Sequence, residues 1–306
     1  MIDRPRIVLG PHAPPVIAEA VNEAGGRLVA PGEAADGLVW SGFDHDDDAG
    51  SALAADGIVW VQLPGAGIER YVEQGYVNDH RTWTCAKGAF AEPVAEHALA
   101  LTLAGLRHLP ERVRATSWGE PKATMLYDLH VTVIGGGGIA SEFIRLIEPF
   151  RCHVTVVRRS PEPHPAAERT LGIDQLDVAL TTADVVLVAT ALTDETRGLI
   201  GAAQLRLMKR TAWLINIARG GVVVTDDLVA ALDAGQIAGA GLDVTDPEPL
   251  PPGHPLWGRD DCLITPHTAD TPEMTSRLLA ERVYENVLAL RSGAPLVGVV
   301  DQHKKY

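Results

Sequence analysis

The sequence predicts an α/β protein of two doubly wound parallel-sheet domains, and three observations lead there. Short apolar runs alternate with helical patterns from end to end, as they do where a parallel sheet carries helices on both faces. The 306 residues amount to two domains at about 150 residues each. Six strand-like runs follow one another after residue 130, enough for a complete sheet of this kind.

Arg6-Ile7-Val8-Leu9 is the first strand, Pro14 to Gly25 a helix, and Gly37 to Trp40 and Gly57 to Leu63 later strands. Pro93 then opens an apolar helix that runs to about Leu106 and leads into the second domain. The strands expected there are His130 to Ile134, Val154 to Val157, Val185 to Ala189, Leu214 to Ile217, Ala240 to Val244 and Leu263 to Thr265. The last helix takes Thr271 as N-cap and Pro272 at its first position. Met274, Leu278, Val283 and Val287 form its apolar stripe, and Gly293 lies past its end. Because it lies outside the six-strand unit, it is expected to return to the first domain. The expected division is therefore 1–95 completed by 271–306, and 96–270, with a ligand in the cleft between them.

Composition excludes several function classes. Lys and Arg number 26 against 40 Asp and Glu, a formal charge of −14. A general attraction to nucleic acid or anionic lipid is not expected, and an anionic substrate needs a local Arg to overcome that field. The N-terminus carries charge at once, in Met1-Ile2-Asp3-Arg4-Pro5-Arg6, and is not read as a signal peptide. No apolar run approaches a membrane span. Asp44 to Asp48 form a short acidic loop and Pro161 to Pro165 a proline-rich surface turn. Cys85, Cys152 and Cys262 are odd in number and far apart, which fits neither a disulfide framework nor a zinc site; the expectation is a cytoplasmic protein without a metal.

After the strand ending at Ile134 comes Gly135-Gly136-Gly137-Gly138-Ile139-Ala140, which satisfies G-x-G-x-x-A and runs directly into a helix. Gly135 permits the tight turn, Gly137 lets backbone approach a pyrophosphate, and the helix start at Gly138 and Ile139 offers N–H groups to the phosphates. This is the turn of a Rossmann-like dinucleotide-binding domain. At the end of the next strand, where NAD sites place an acid on the ribose 2′-hydroxyl, stand Arg158, Arg159 and Ser160. A guanidinium can clamp a 2′-phosphate, so the charge argument favours NADP. NAD stays open, with two solvated arginines and Glu162 taking the ribose.

Three further segments share a pattern. Leu214 to Gly221 with Arg219, Gly241 to Val244 followed by Glu248-Pro249-Leu250, and Thr265-Pro266-His267 resemble, in order and spacing, the signatures of the D-isomer-specific 2-hydroxyacid dehydrogenases. Ala95 to Leu101 resembles that family's interdomain helix, Leu192 to Thr196 its cofactor loop, and Pro64 to Glu69 its substrate-carboxylate loop. The stretches Pro249 to Pro252 and Pro255 to Trp257, with Val300 to Tyr306, look most like the short glyoxylate/hydroxypyruvate reductase branch. The resemblance implies NADP or NAD as cofactor, with Ala191, Ala218 and Asp243 beside it. It also implies that Gly65, Ala66 and Gly67 join Arg219 on the substrate carboxylate, and that the protein is a homodimer formed through the nucleotide domain. Thr190-Ala191 replaces a usual proline, Glu69 a usual Asp, and Asp270 adds a charge near the pocket mouth.

The chemistry can be argued from the residues themselves. Hydride transfer to an α-carbon needs a carboxylate anchor, carbonyl polarisation and a proton donor. Arg219 can supply the first two in bidentate geometry, and His267 titrates near neutrality and can supply the third. Glu248 would orient the His267 ring and favour its protonated form. Taken singly, each residue also reads as an ordinary loop charge, and His97 as a packing residue. The expected reaction is reduction of a small 2-oxo acid such as glyoxylate or hydroxypyruvate. The alternatives are an NAD-linked dehydrogenase, for instance one acting on 3-phosphoglycerate, and a dinucleotide-sensing binding protein without catalysis.

Overall fold

The computed structural model describes residues 1–40, 52–53, 57–160 and 162–301. The acidic loop Asp44 to Asp48, Pro161 and residues 302–306 lie outside the described residues. The chain divides into two compact units, Met1–Phe90 with Thr271–Tyr306, and Ala91–Asp270. The break falls at the start of a helix rather than at residue 95. That helix, Ala91–Leu106, begins two residues before Pro93 and belongs as one rod to the second unit.

In the first unit β1 (Arg6–Leu9), β2 (Arg27–Val29), β3 (Gly37–Val39), β4 (Trp60–Gln62) and β5 (Thr82–Thr84) form a parallel sheet in the order β2-β1-β3-β4-β5. Two of these strands were not anticipated. β2 is a half-exposed edge of three residues, and β5 has one large apolar residue, Trp83, too little for a period to register. The expected strand Gly57 to Leu63 contracts to β4. The helix Pro15–Glu23 buries Ile17, Ala20 and Val21. The final helix, Pro272–Ser292, packs in this unit and ends at Gly293, whose φ of +76° is left-handed. A buried amide fastens it there: Asn286 Nδ2 donates to Gln62 Oε1 at 3.0 Å, and Asn286 Oδ1 accepts the Val297 N–H at 2.7 Å. Thr271 is the N-cap by position, but it caps with its carbonyl, not its hydroxyl.

The second unit contains β6 (His130–Ile134), β7 (His153–Arg158), β8 (Arg169–Gly172), β9 (Val185–Val188), β10 (Trp213–Asn216), β11 (Gly239–Leu242) and β12 (Cys262–Ile264). All pair in parallel, in the order β12-β11-β10-β9-β6-β7-β8. The six anticipated strands are present. The seventh, β8, is an edge strand opened by exposed Arg169, which hid it. β9, between β6 and β10, is buried at every residue, which is why it reads as an unbroken apolar run. Its neighbours Val157, Leu180, Leu214 and Leu242 complete a core on one face. Both sheets are doubly wound α/β sheets, as the sequence predicts. The proline-rich turn is not wholly superficial, because His164 is only 4% exposed. Among the described residues no helix is long and apolar enough to cross a membrane, and no group of three or more His, Cys, Asp or Glu is placed to hold a metal ion.

Candidate active site

The strand order reverses at β6, which lies between β7 and β9, and open α/β sheets bind ligands beyond the carboxyl ends of their strands at such a point. Gly135 leaves β6 with φ +111°, and a Cβ there would collide with the Ala189 carbonyl at the end of β9. Only glycine makes this turn. Gly137 is the N-cap of the helix Gly138–Ile147, and a Cβ there would meet nothing within 4 Å. The turn therefore leaves open space above the first N–H groups of a helix, those of Gly138 and Ile139 among them, which have no acceptor within the helix. This suits a pyrophosphate. Ala191, past the end of β9, is exposed, and its carbonyl accepts the Thr196 hydroxyl at 2.7 Å, closing the Leu192 to Thr196 loop on itself.

Arg158 ends β7 one strand away from the glycine turn, and its side chain lies over it: a Cβ at Gly136 would stand 3.1 Å from Arg158 Cδ. Arg159 is exposed and pairs with Glu195 at 3.2 Å; Ser160 is half-buried. The sequence did not foresee that Arg159 is already paired with a carboxylate.

Arg219, Glu248 and His267 come from the loops after β10, β11 and β12, adjacent strands of one sheet. Asn216 shapes the first loop by accepting the Ala218 N–H at 3.1 Å and donating to the Arg219 carbonyl at 3.1 Å. Gly220 follows because a Cβ there would collide with the Thr245 carbonyl, so the first loop lies directly against the second. Arg219 Nη1 donates to the Ala218 carbonyl at 2.7 Å, and its charge acts on Glu248, His267 and Asp270. His267 Nδ1 and Glu248 Oε1 are 2.6 Å apart. That hydrogen bond raises the His267 pKa above its ordinary value, against burial and Arg219. Burial pushes Glu248 upward, but the bond from His267, that ring's charge, the Thr245 N–H and Arg219 together hold it below the usual carboxylate range. Both shifts favour an imidazolium beside a carboxylate.

Asp243, the buried residue after β11, organises the third loop. It accepts the Thr265 hydroxyl at 2.6 Å, the Thr268 N–H at 2.9 Å and the Ala269 N–H at 3.1 Å. Burial alone would raise its pKa; these bonds and His97 bring it down to about 2. Its own carbonyl accepts the His267 N–H at 2.9 Å, and His267 sits at φ +51°, a strained backbone held by this wrapping. His97 is more than a packing residue: its Nε2 lies 2.9 Å from Thr265 Oγ1 and 3.3 Å from Asp243 Oδ1. Asp270 is pushed above the usual carboxylate range, chiefly by burial. In the first unit, Gly65, Ala66 and Gly67 form a partly exposed bend at the carboxyl end of β4, and Gly65 accepts the Ala86 N–H at 2.9 Å.

Comparison with known proteins shows the family of the chain. Residues 98–269 match the family model of the D-isomer specific 2-hydroxyacid dehydrogenase NAD binding domain. The glyoxylate reductase/hydroxypyruvate reductase of Homo sapiens is 34% identical over 86% of this chain and 83% of its own. A protein of Corynebacterium melassecola, described only as uncharacterized and lying in the proB 3′ region, is 39% identical over 80% of this chain and 83% of its own. The crystal structure of a D-isomer specific 2-hydroxyacid dehydrogenase from Xanthobacter autotrophicus Py2, in complex with NADPH and MES, superposes with a TM-score of 0.86 at 26% identity, covering 99% of this chain and 100% of that one. With the family model spanning more than half of the sequence and these relatives matching four-fifths of it or more, the chain belongs to the D-isomer specific 2-hydroxyacid dehydrogenases and is a nicotinamide-dependent oxidoreductase.

Proposed function

We propose that the protein uses NADPH to reduce a small 2-oxo acid of the glyoxylate or hydroxypyruvate type to the D-2-hydroxy acid. One observation carries the reading: the 2.6 Å contact between His267 and Glu248, with the charge of Arg219 acting on both. The relatives named glyoxylate reductase support the substrate class, and Arg158 beside the glycine turn supports the 2′-phosphate.

Gly135, Gly137 and the start of the Gly138–Ile147 helix would hold the pyrophosphate, and Arg158, Arg159 and Ser160 the 2′-phosphate. A reduced nicotinamide, when bound, supplies the hydride for the carbonyl carbon. Arg219 binds the substrate carboxylate and draws charge toward the carbonyl oxygen. His267 keeps Nδ1 on Glu248, so Nε2 is the nitrogen that gives its proton to the carbonyl oxygen. Glu248 keeps the ring charged and fixed in rotation. The oxygen stays on the α-carbon as the hydroxyl of the product, and the neutral ring recovers its proton from solvent.

A homodimer belongs to the same proposal. Val113, Trp118 and Met125 are 83%, 98% and 63% exposed in one stretch of the second unit, an apolar surface suited to a second copy of the chain. The test of function is NADPH oxidation with a panel of 2-oxo acids. His267→Gln should lower turnover by about two to four orders of magnitude and leave NADPH affinity nearly intact. Equal turnover in variant and parent would remove His267 from the mechanism. A parent that binds NADPH and reduces no 2-oxo acid would instead fit the dinucleotide-sensing alternative.

A further inference from the structure

His164 lies in the turn that follows Arg158, Arg159 and Ser160, yet it is 4% exposed. A buried imidazole must be hydrogen-bonded on both nitrogens to avoid a desolvation cost. Nδ1 accepts the Ala166 N–H at 3.3 Å, which fixes the tautomer with hydrogen on Nε2. Nε2 lies 3.1 Å from Ser141 Oγ and therefore donates to it. Ser141 in turn donates to the Gly137 carbonyl at 3.2 Å. The main chain of His164 is fixed as well, its N–H on Thr170 Oγ1 at 2.8 Å. Burial, and then the charge of Arg158, lower the histidine's pKa and keep the ring neutral, as this bonding pattern requires.

The chain of bonds His164 to Ser141 to Gly137 joins two segments that belong to different strands. One follows β7 and carries the arginines; the other is the first turn of the helix after β6. We propose that His164 is a positioning residue for recognition of the 2′-phosphate. It ties the arginine-bearing segment to the glycine turn, so that the groups for the 2′-phosphate and those for the pyrophosphate are held at a fixed separation. This rests on the reading of the cofactor as NADPH. NADH engages only one of the two tied segments by charge, so loss of the tie penalises NADPH.

The test is calorimetric titration of the substrate-free protein with NADPH, NADH and adenosine 2′-monophosphate. His164→Leu and Ser141→Ala should each weaken NADPH by about two- to tenfold, the range for one neutral hydrogen bond, and leave NADH and adenosine 2′-monophosphate, each of which engages one tied segment alone, within about twofold. The double variant should lose no more than the single ones, because both remove the same link. His164→Gln, which keeps a donor for Ser141, should recover much of the preference. Ser141 is exposed, so Ser141→Ala reads the bond even if His164→Leu does not fold. Equal loss of NADPH and NADH binding would make His164 merely structural and overturn the proposal. A parent that prefers NADPH and variants that prefer it equally would defeat the positioning role alone. A parent with no preference would defeat the NADPH reading and the proposal with it.

Discussion

Asp243→Asn is the substitution whose effect the structure specifies most fully. The carboxylate uses Oδ1 for the Thr265 hydroxyl and the Thr268 N–H, and Oδ2 for the Ala269 N–H. An asparagine keeps the first set only by turning its amide NH2 toward the Ala269 N–H, which sets donor against donor in a buried place. Losing that bond and leaving its donor unpaired costs about 1 to 3 kcal/mol. Proton linkage gives an independent figure. The pKa falls from 3.8 to about 2 on folding, and at about 1.36 kcal/mol per unit this contributes about 2 kcal/mol. The sign follows from the depressed value: the contribution is present above the unfolded pKa and is lost as pH falls from about 5 toward 2. Calorimetric scans of parent and variant should therefore differ at pH 7 by about 4 to 8 °C in the transition of the 91–270 unit, the one that NADPH raises. The gap should narrow at pH 3, below the unfolded carboxyl's 3.8, where the unfolded chain already takes up the proton that the folded Asp243 still refuses and part of the linkage is lost. The variant should also turn over more slowly, since the loop that carries His267 has lost part of its frame. A gap that stays constant with pH, or no gap at pH 7, would refute the assignment of the carboxylate as the organiser of this loop.

Glu195→Gln should release Arg159 from its ion pair and tighten NADPH by up to about fivefold, the upper range for an exposed pair, with a smaller gain at high salt; weaker binding in a titration would show that Glu195 aids the cofactor. Arg158→Asp should reverse the order of kcat/KM for NADPH and NADH, and steady-state assays with both cofactors check it. Glu248→Gln removes the group that raises the His267 pKa, so the alkaline limb of the reduction profile should move to lower pH; a limb that stays in place would cut Glu248 from the pair.

What the sequence disclosed and what it concealed divide on physical lines. The glycine turn, Arg219, Glu248 and His267 sit at the ends of strands long and apolar enough to be read, and each owes its place to a local rule of turn or strand. Strands β2, β5 and β8 have three or four residues each and lie at sheet edges, where a period has no room to show. The relation of His97 to Thr265 spans 168 residues, and no local pattern encodes such a contact. His164 was hidden differently. Its neighbours are prolines, whose turn chemistry reads as surface, while its burial depends on Ser141 and Thr170 from other elements. The pairing of Arg159 with Glu195 was also beyond a charge argument, since sign alone does not reveal which opposite charge a flexible side chain meets.

The sheet order explains why these groups are separable by substitution. From β7 across to β12 the carboxyl ends present Arg158, the Gly135 turn, Ala191, Arg219, Asp243 with Glu248, and His267, in the spatial order β7-β6-β9-β10-β11-β12. Chain order and spatial order differ only where β6 and β7 exchange places. That exchange puts the arginines on the far side of the glycine turn from the proton donor. At about 4.8 Å between strands, Arg158 stands three strand spacings from the end of β10, where Arg219 begins, or roughly 14 Å. Beyond a Debye length of about 8 Å at physiological ionic strength the two guanidinium groups scarcely influence one another through solvent. Cofactor choice and substrate capture therefore answer to different residues, and a change at Arg158 should leave the KM for the 2-oxo acid nearly untouched while it alters which cofactor is used.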